Sequence, residues 1–516
     1  PDGSEFSATN PQAPPLLTIN VTPGLQYGTN SPGGTIANAG NLTAGQDLML
    51  AADNLELQGE LSAGKDLTLQ AQDTVRIRDS VTHPFIASAQ GNLLVQGNQG
   101  IDIFALNHPD SGLFSGGDMV LRSAADVGGD AHYWSGGSFR IEQLDGNLGN
   151  LYSPDDPVIY ANGDIGFFSY RGTSLHLLAG GQVDITGFIE ITGVSPPATS
   201  LAETIKLTDD GQTLTINGSV QPTVDIRAGI DWAQLGGMPG NFGVGVNLPP
   251  GIFGNNATSS DITINEIRIT APDGVVFLTN QYQPNLTLSD GTIEVGSILT
   301  RDSGFTGNAG SVIIDSGGNI NITQAINSSS ASGDAGDITL IADDGVSIAG
   351  NGIFSETRGA GAGGDIRIQS GSVLLREASL VSTATFRTGD AGNLTVETGQ
   401  LTVRDGSQLI TSTLGEGDGG EVNINATEIE FTGANPINGN PSGLFADVRA
   451  NATGNAGDVT LNTERLLVSQ GGQIGVSTFG EGNGGELNIN ASQIELIGTN
   501  PINGVPSGLF AQVGRN

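Results

Sequence analysis

Aliphatic residues along this chain recur in pairs two positions apart, and the pairs return at a fixed distance from glycine. A Gly-rich tetrapeptide and one polar residue precede such a pair at 307, 333, 361, 389, 417, 454 and 482, in steps of 26, 28, 28, 28, 37 and 28 residues. Five and seven residues after the starting glycine stand, for instance, Leu394 and Val396, Val422 and Ile424, Val459 and Leu461. That spacing is the period of a strand with one buried face. A second pair follows about twelve residues after the glycine, as in Leu401/Val403, Ile429/Phe431 and Leu466/Val468, and a weaker third begins near position twenty, at Leu409 and Ile474. The i, i+3, i+4, i+7 spacing of an amphipathic helix is missing. Three short strands per 28-residue unit, turned at Gly, Asn or Asp, predict one coil of a parallel β-helix, with coils about 4.8 Å apart. The expected fold class is all-β, a right-handed parallel β-helix (β-solenoid), the hand following the rule for parallel crossovers.

Longer self-similarity supports this. Residues 389–451 and 454–516 align without a gap at an offset of 65, with 37 of 63 positions identical. In the N-terminal half, "AGQDLMLAADNLELQGE" (44–60) and "AGKDLTLQAQDTVRIRD" (63–79) repeat at an offset of 19. The predicted organisation is a cloning remnant, "PDGSEF", at 1–6; a lead-in at 7–39; irregular coils at 40–193, with excursions at 104–115 and 124–136; a β-helix segment at 194–306 carrying a long Gly/Pro-rich excursion; and regular coils at 307–516. At roughly 25 residues per coil this amounts to about 20 coils, a rod of ~90–100 Å. Ending at Asn516, the last coil is expected to offer unpaired strand edges, hence end-to-end self-association.

Charge narrows the function classes. The chain has 18 basic and 54 acidic side chains, a net charge of −36, and lysine only at Lys65 and Lys206. It cannot present the basic surface that nucleic acid or an anionic membrane requires. No run of 18 apolar residues predicts membrane insertion. Without cysteine there is no disulfide, thiolate metal site or catalytic thiol. The acidic excess reads as charge that keeps a long fibre soluble. It allows weak adventitious calcium at acidic turns; no cofactor is expected.

Parallel β-helices also carry polysaccharide-cleaving enzymes, which need convergent carboxylates. The Asn-Thr-Asp, Gly-His-Gly and Arg-Ile-Lys motifs of pectin hydrolases are missing, and the four histidines (His83, His108, His132 and His176) are scattered. The pairs Asp155–Asp156, Asp209–Asp210 and Asp343–Asp344 are sequential, and neighbours in a strand point to opposite faces. No catalytic residue is therefore assigned. Residues expected to face a ligand are His132, Tyr133 and Trp134 in a predicted excursion, Trp232, and two copies of one loop, "NPINGNPSGLF" and "NPINGVPSGLF", through Asn435, Pro436 and Phe445, and Asn500, Pro501 and Phe510. Aromatic side chains anchor interfaces. The competing structural role is a loop capped onto the wall, with Leu444 or Phe445 tucked back.

The "AGxDLxLxAxD" units, the "GDAGNLTV" and "GDGGEVNINA" coils and "TVDIRAG" (223–229) resemble the large cyanobacterial exoproteins of the filamentous haemagglutinin type. The resemblance implies a passenger of two-partner secretion, exported through an outer-membrane transporter and displayed at the cell surface or released. In that family the N-terminal secretion domain carries Asn-Pro-Asn motifs; none stands here, so the chain corresponds to the stem downstream of it. The expected function is a non-catalytic stem or binding segment of an adhesin, with a glycan or protein surface as ligand. The alternative is a pectinase-like enzyme or its glycan-binding remnant. No haem or haemolytic role is carried over.

Overall fold

The computed structural model describes residues 34–155, 157–196, 201–208, 211–235, 257–300 and 307–514. The predicted cloning remnant, most of the predicted lead-in, most of the predicted Gly/Pro-rich excursion, Asp156, and the Asp209–Asp210 pair lie outside the described residues.

From Thr35 onward the chain winds as a parallel β-helix. Its wall is one hydrogen-bonded sheet of 38 strands. The coil at 422 shows how the sequence pattern becomes a wall. Val422–Thr432 is a single strand that bends midway, so that Val422 and Ile424 point inward on a first face, and Ile429 and Phe431 on a second. Gly443–Phe445 follows on a third face, with Leu444 inward. Equivalent residues stack in register: Val396, Ile424, Leu461 and Ile489 form one column, and Leu409, Leu444, Ile474 and Leu509 another. The interior aliphatic cluster runs from Ala52 to Val476. The wall amounts to roughly sixteen coils, ~75 Å at the ordinary strand spacing. This is fewer than the 20 expected for the whole chain: residues 1–33 lie outside the described ones, and 31 and 34 residues separate Thr223–Arg227 from the wall strands before and after it, Val183–Ile191 and Ile262–Ile269.

The two excursions expected in the N-terminal half are mostly wall. Gly112–Ser115 and Val127–Ser135 are strands in register with neighbouring coils, and the stretch outside the strands in the first is confined to residues 106–111, between Gly100–Ala105 and Gly112–Ser115. Gly112–Ser115 is only four residues long, and Val127–Ser135 carries Gly128 and Gly129 where an aliphatic pair would stand, so these strands read as loops.

The Gly-rich turns between the third and first faces have two tasks. The first is close approach: a Cβ on Gly420 would stand 1.8 Å from the Gly392 carbonyl oxygen, and one on Gly417 would stand 1.9 Å from that of Gly389. The second falls to the polar residues beside the glycines. The Asp337 carboxylate accepts the Asp365 N–H at 2.9 Å, Asp365 that of Asn393 at 2.7 Å, and the Asn393 side-chain oxygen that of Glu421 at 3.0 Å. Asp390, Asp418 and Asn455 make a second such chain, ending on the Asn483 N–H. In the N-terminal half Asp66, Asn92 and Asp118 do the same. Much of the acidic excess at the turns is therefore structural: each side chain satisfies a backbone donor one coil further on.

Ile424 is fully buried, whereas its neighbour Asn423 points outward. Ile424→Asp is expected to lower the melting temperature by on the order of 10 °C, because it buries an unpaired carboxylate. Asn423→Asp should stay within a degree or two of the parent. Equal melting temperatures would overturn the assignment of faces.

Candidate functional site

The outer surface of the first face is covered where the two wall departures flank it. The first carries an antiparallel hairpin, Ala202–Lys206 with Thr213–Asn217. Ile205, Leu207 and Ile216 of this segment pack on Phe277 of the wall. Beneath it, "TVDIR" (223–227) is a wall strand buried on both sides. Val224 and Ile226 face the interior, which sends Asp225 and Arg227 outward under the hairpin.

Those two residues centre a charged network. Arg227 donates to both Asp225 carboxylate oxygens, each at 2.9 Å, and to Glu203 of the hairpin at 2.8 Å. His176, one coil earlier and in register with Asp225, lies 3.1 Å from it through Nδ1. The Tyr282 hydroxyl donates to Glu203 at 2.5 Å, and its ring lies under the Arg227 guanidinium, 4.3 Å away. His176, Asp225 and Arg227 are wholly shielded from solvent. Burial alone would push the Asp225 carboxyl up, but the Arg227 charge and the bonds from His176 and Arg227 outweigh it and hold the carboxyl below the ordinary range. Burial, then the bond to Glu203, pushes Tyr282 up to about 12. Chemically this is a bidentate ion pair with every member engaged, so it fixes the hairpin on the wall. Sequence reading singled out "DIRAG" as a motif without finding this role; the alternation of Val224 and Ile226 with Asp225 and Arg227 was the available signal.

The predicted aromatic residues divide by face. Tyr133 points into the interior, fully buried, its hydroxyl donating to the Gly129 carbonyl at 3.0 Å, so it offers nothing to a ligand. Trp134 points outward and stacks between Phe114, at 4.7 Å, and Tyr160, at 5.7 Å, of the adjacent coils. His132 lies edge-on to Trp134. Trp232 closes this stack: it is nearly buried against Tyr160 and Leu178 and donates to the Ala161 carbonyl at 3.0 Å. Tyr133 and Trp232 are thus packing residues, and Trp232 caps its loop onto the wall. The reason is stacking: parallel coils place large side chains in columns, where they cover one another.

The two NPING loops stand at the corner between the second and third faces. In each, the asparagine side chain closes the turn: Asn435 accepts the N–H of Ile437 at 2.9 Å, and Asn500 that of Ile502 at 2.9 Å. The loops also touch each other, since Asn500 and Asn503 both donate to the Gly439 carbonyl, at 2.8 and 3.2 Å. Pro436, Pro501, Ile437 and Ile502 are exposed on the resulting ridge, while Asn500 is buried by it. Phe445 and Phe510 are half-buried at the start of the third face, and Leu444 is the residue tucked inside. Beside the ridge lies an open groove of about 520 Å³, whose lining includes Arg404, Asp405, Glu430 and Gln470.

Comparison with known proteins finds no family model, no curated protein and no solved structure that matches this chain. Among the described residues, no three His, Asp or Glu side chains come together in a way that could hold a metal ion, and no helix is long and apolar enough to cross a membrane.

Asp130 was not foreseen. It is buried in the wall, where its Oδ1 accepts from the Ser153 hydroxyl at 2.5 Å and the Asp155 N–H at 2.9 Å, and burial pushes its carboxyl up to about 6. With the folded value raised above the ordinary 3.8, its contribution to stability is full below 3.8 and is lost as pH rises through about 6. Asp130→Asn is expected to flatten that part of the stability–pH curve while keeping both hydrogen bonds at Oδ1; an unchanged slope in denaturant titrations would refute it. Asp225 acts in the opposite sense, its contribution being lost as pH falls through a depressed value. Asp225→Ala leaves a buried guanidinium facing Glu203 alone and should cost about 3–5 kcal/mol. Chemical denaturation monitored by the fluorescence of Trp134 and Trp232 measures this.

Proposed function

We propose that this chain is a non-catalytic stem or binding segment of a secreted or surface-displayed filamentous adhesin of the haemagglutinin type. The observation that carries the reading is the use made of the polar side chains. Asp and Asn, residues from which a cleft would be built, are spent along the turns as acceptors for the next coil. One longitudinal edge, between the second and third faces, offers a surface for recognition where the NPING ridge projects. A stem that presents its ligand sites along one edge fits adhesion to an extended glycan or protein surface. The reading brings with it export through an outer-membrane transporter.

The second reading, a polysaccharide-cleaving enzyme, rests on the groove beside the ridge, where Asp405 and Glu430 are both in the lining. Incubation with pectin, xylan and microbial exopolysaccharide is expected to release no reducing ends, while the fluorescently labelled chain is retained on cells or their matrix. Reducing ends that disappear with Asp405→Asn or Glu430→Gln would establish the enzyme and overturn the stem.

A further inference from the structure

The edge that carries the NPING ridge also carries, many coils earlier, a strip of exposed aromatic and paired charged residues. Phe168 sits at this corner between Ile165–Phe167 on the second face and Ser169–Gly172 on the third. One coil on, the corner is Gly187–Phe188, inside the strand Val183–Ile191. Phe168 and Phe188 are 43% and 36% exposed, and Tyr152, on the third face one coil before, is 47% exposed. Gly187 makes room for the first ring: a Cβ there would stand 3.0 Å from a Phe168 ring carbon, and 2.5 Å from the Phe168 carbonyl oxygen. Beside the rings, Tyr152, Arg171, Glu190 and Arg268 stack in register on the outer surface of the third face. Arg171 pairs with Glu190 at 2.8 Å, and Arg268 with Glu266 at 2.7 Å.

We propose that this strip binds a linear, uncharged polysaccharide running parallel to the helix axis. Resting on the adhesin reading above, the proposal names a ligand class and a place. Three features select the ligand. Exposed rings offer faces on which sugar rings stack, and the three stand on successive coils about 4.8 Å apart, offset sideways from one another, a step close to the rise of one sugar in an extended polysaccharide. Two Arg–Glu pairs share the strip, Arg171 in register with Tyr152 and Glu266 with Phe188, and their donors and acceptors can serve hydroxyl groups of either polarity. The two arginines and two glutamates cancel, so in a chain of net charge −36 the strip is locally neutral and suits a neutral glycan.

The test measures binding of the full chain to hexasaccharides of β-linked glucose and of N-acetylglucosamine, by calorimetry and on insoluble cellulose and chitin. The parent is compared with Phe168→Ser/Phe188→Ser and with Phe479→Ser, an exposed ring far from the strip. The parent is expected to bind at least one probe, the double variant to bind roughly tenfold or more weakly at an unchanged melting temperature, and Phe479→Ser to match the parent. A parent that ignores all four probes, or a double variant that binds as well as the parent, overturns the proposal. Cell adhesion persisting beside either result leaves the adhesin reading standing. Reducing ends released from a polysaccharide would instead overturn that reading, while the double variant still decides the strip. If sedimentation shows the double variant dissolving a dimer of the parent without altering glycan binding, the strip is a contact between copies and the proposal fails.

Discussion

Everything in this molecule answers to the distance between one coil and the next. Parallel strands must sit about 4.8 Å apart for their backbone hydrogen bonds to form. Each residue therefore lies directly over its counterpart one coil earlier. Aliphatic residues placed inward reinforce one another, as Val396, Ile424, Leu461 and Ile489 do. At the tightest corner the same closeness forbids side chains altogether, which is why Gly392 and Gly420 face one another without a Cβ between them.

Stacking also changes what a charge means. A carboxylate on the surface of a globular protein mainly meets water, but here Asp365 lies over Asp337 and beneath Asn393, and each side chain takes the backbone donor above it. Asn393 and Asn455 interrupt these chains after two successive Asp, which limits the repulsion that a longer column of carboxylates would build up. The buried network around Arg227 follows the same geometry. His176 and Asp225 are 49 residues apart in sequence yet adjacent in register, so they meet as neighbours in a column.

This explains what was legible in the sequence. Inward pairs such as Val422 and Ile424 are a local pattern of period two, and they disclosed the fold. The turn ladders were open to the same reading, because Asp365 and Asn393 hold equivalent places in consecutive repeats; the acceptor role becomes visible only once the coils are stacked. Glu203 and Tyr282 could not be foreseen, since they reach Arg227 from a hairpin and from beyond a second departure of the chain. The aromatic cluster at 132–134 was found by its rarity, but rarity does not reveal orientation: alternation sends Tyr133 inward and Trp134 outward. Phe168 and Phe188 drew no notice because Phe168 reads as one with its inward neighbour Phe167, and Phe188 stands singly in sequence.

The contact between the two NPING loops has a consequence for how such a chain can grow. Asn500 and Asn503 reach the Gly439 carbonyl across one intervening coil that has only a tight turn, at Gln470–Gly472, in the corresponding place. A single added coil would separate the loops beyond hydrogen-bonding reach. A single lost coil would bring them onto adjacent coils, leaving about 4.8 Å for a loop that needs twice that. A lineage can therefore lengthen this part of the wall by copying loop-bearing and plain coils together, in steps of 65 residues. The wall alone would accept any whole number of coils; the ridge makes its growth come in pairs.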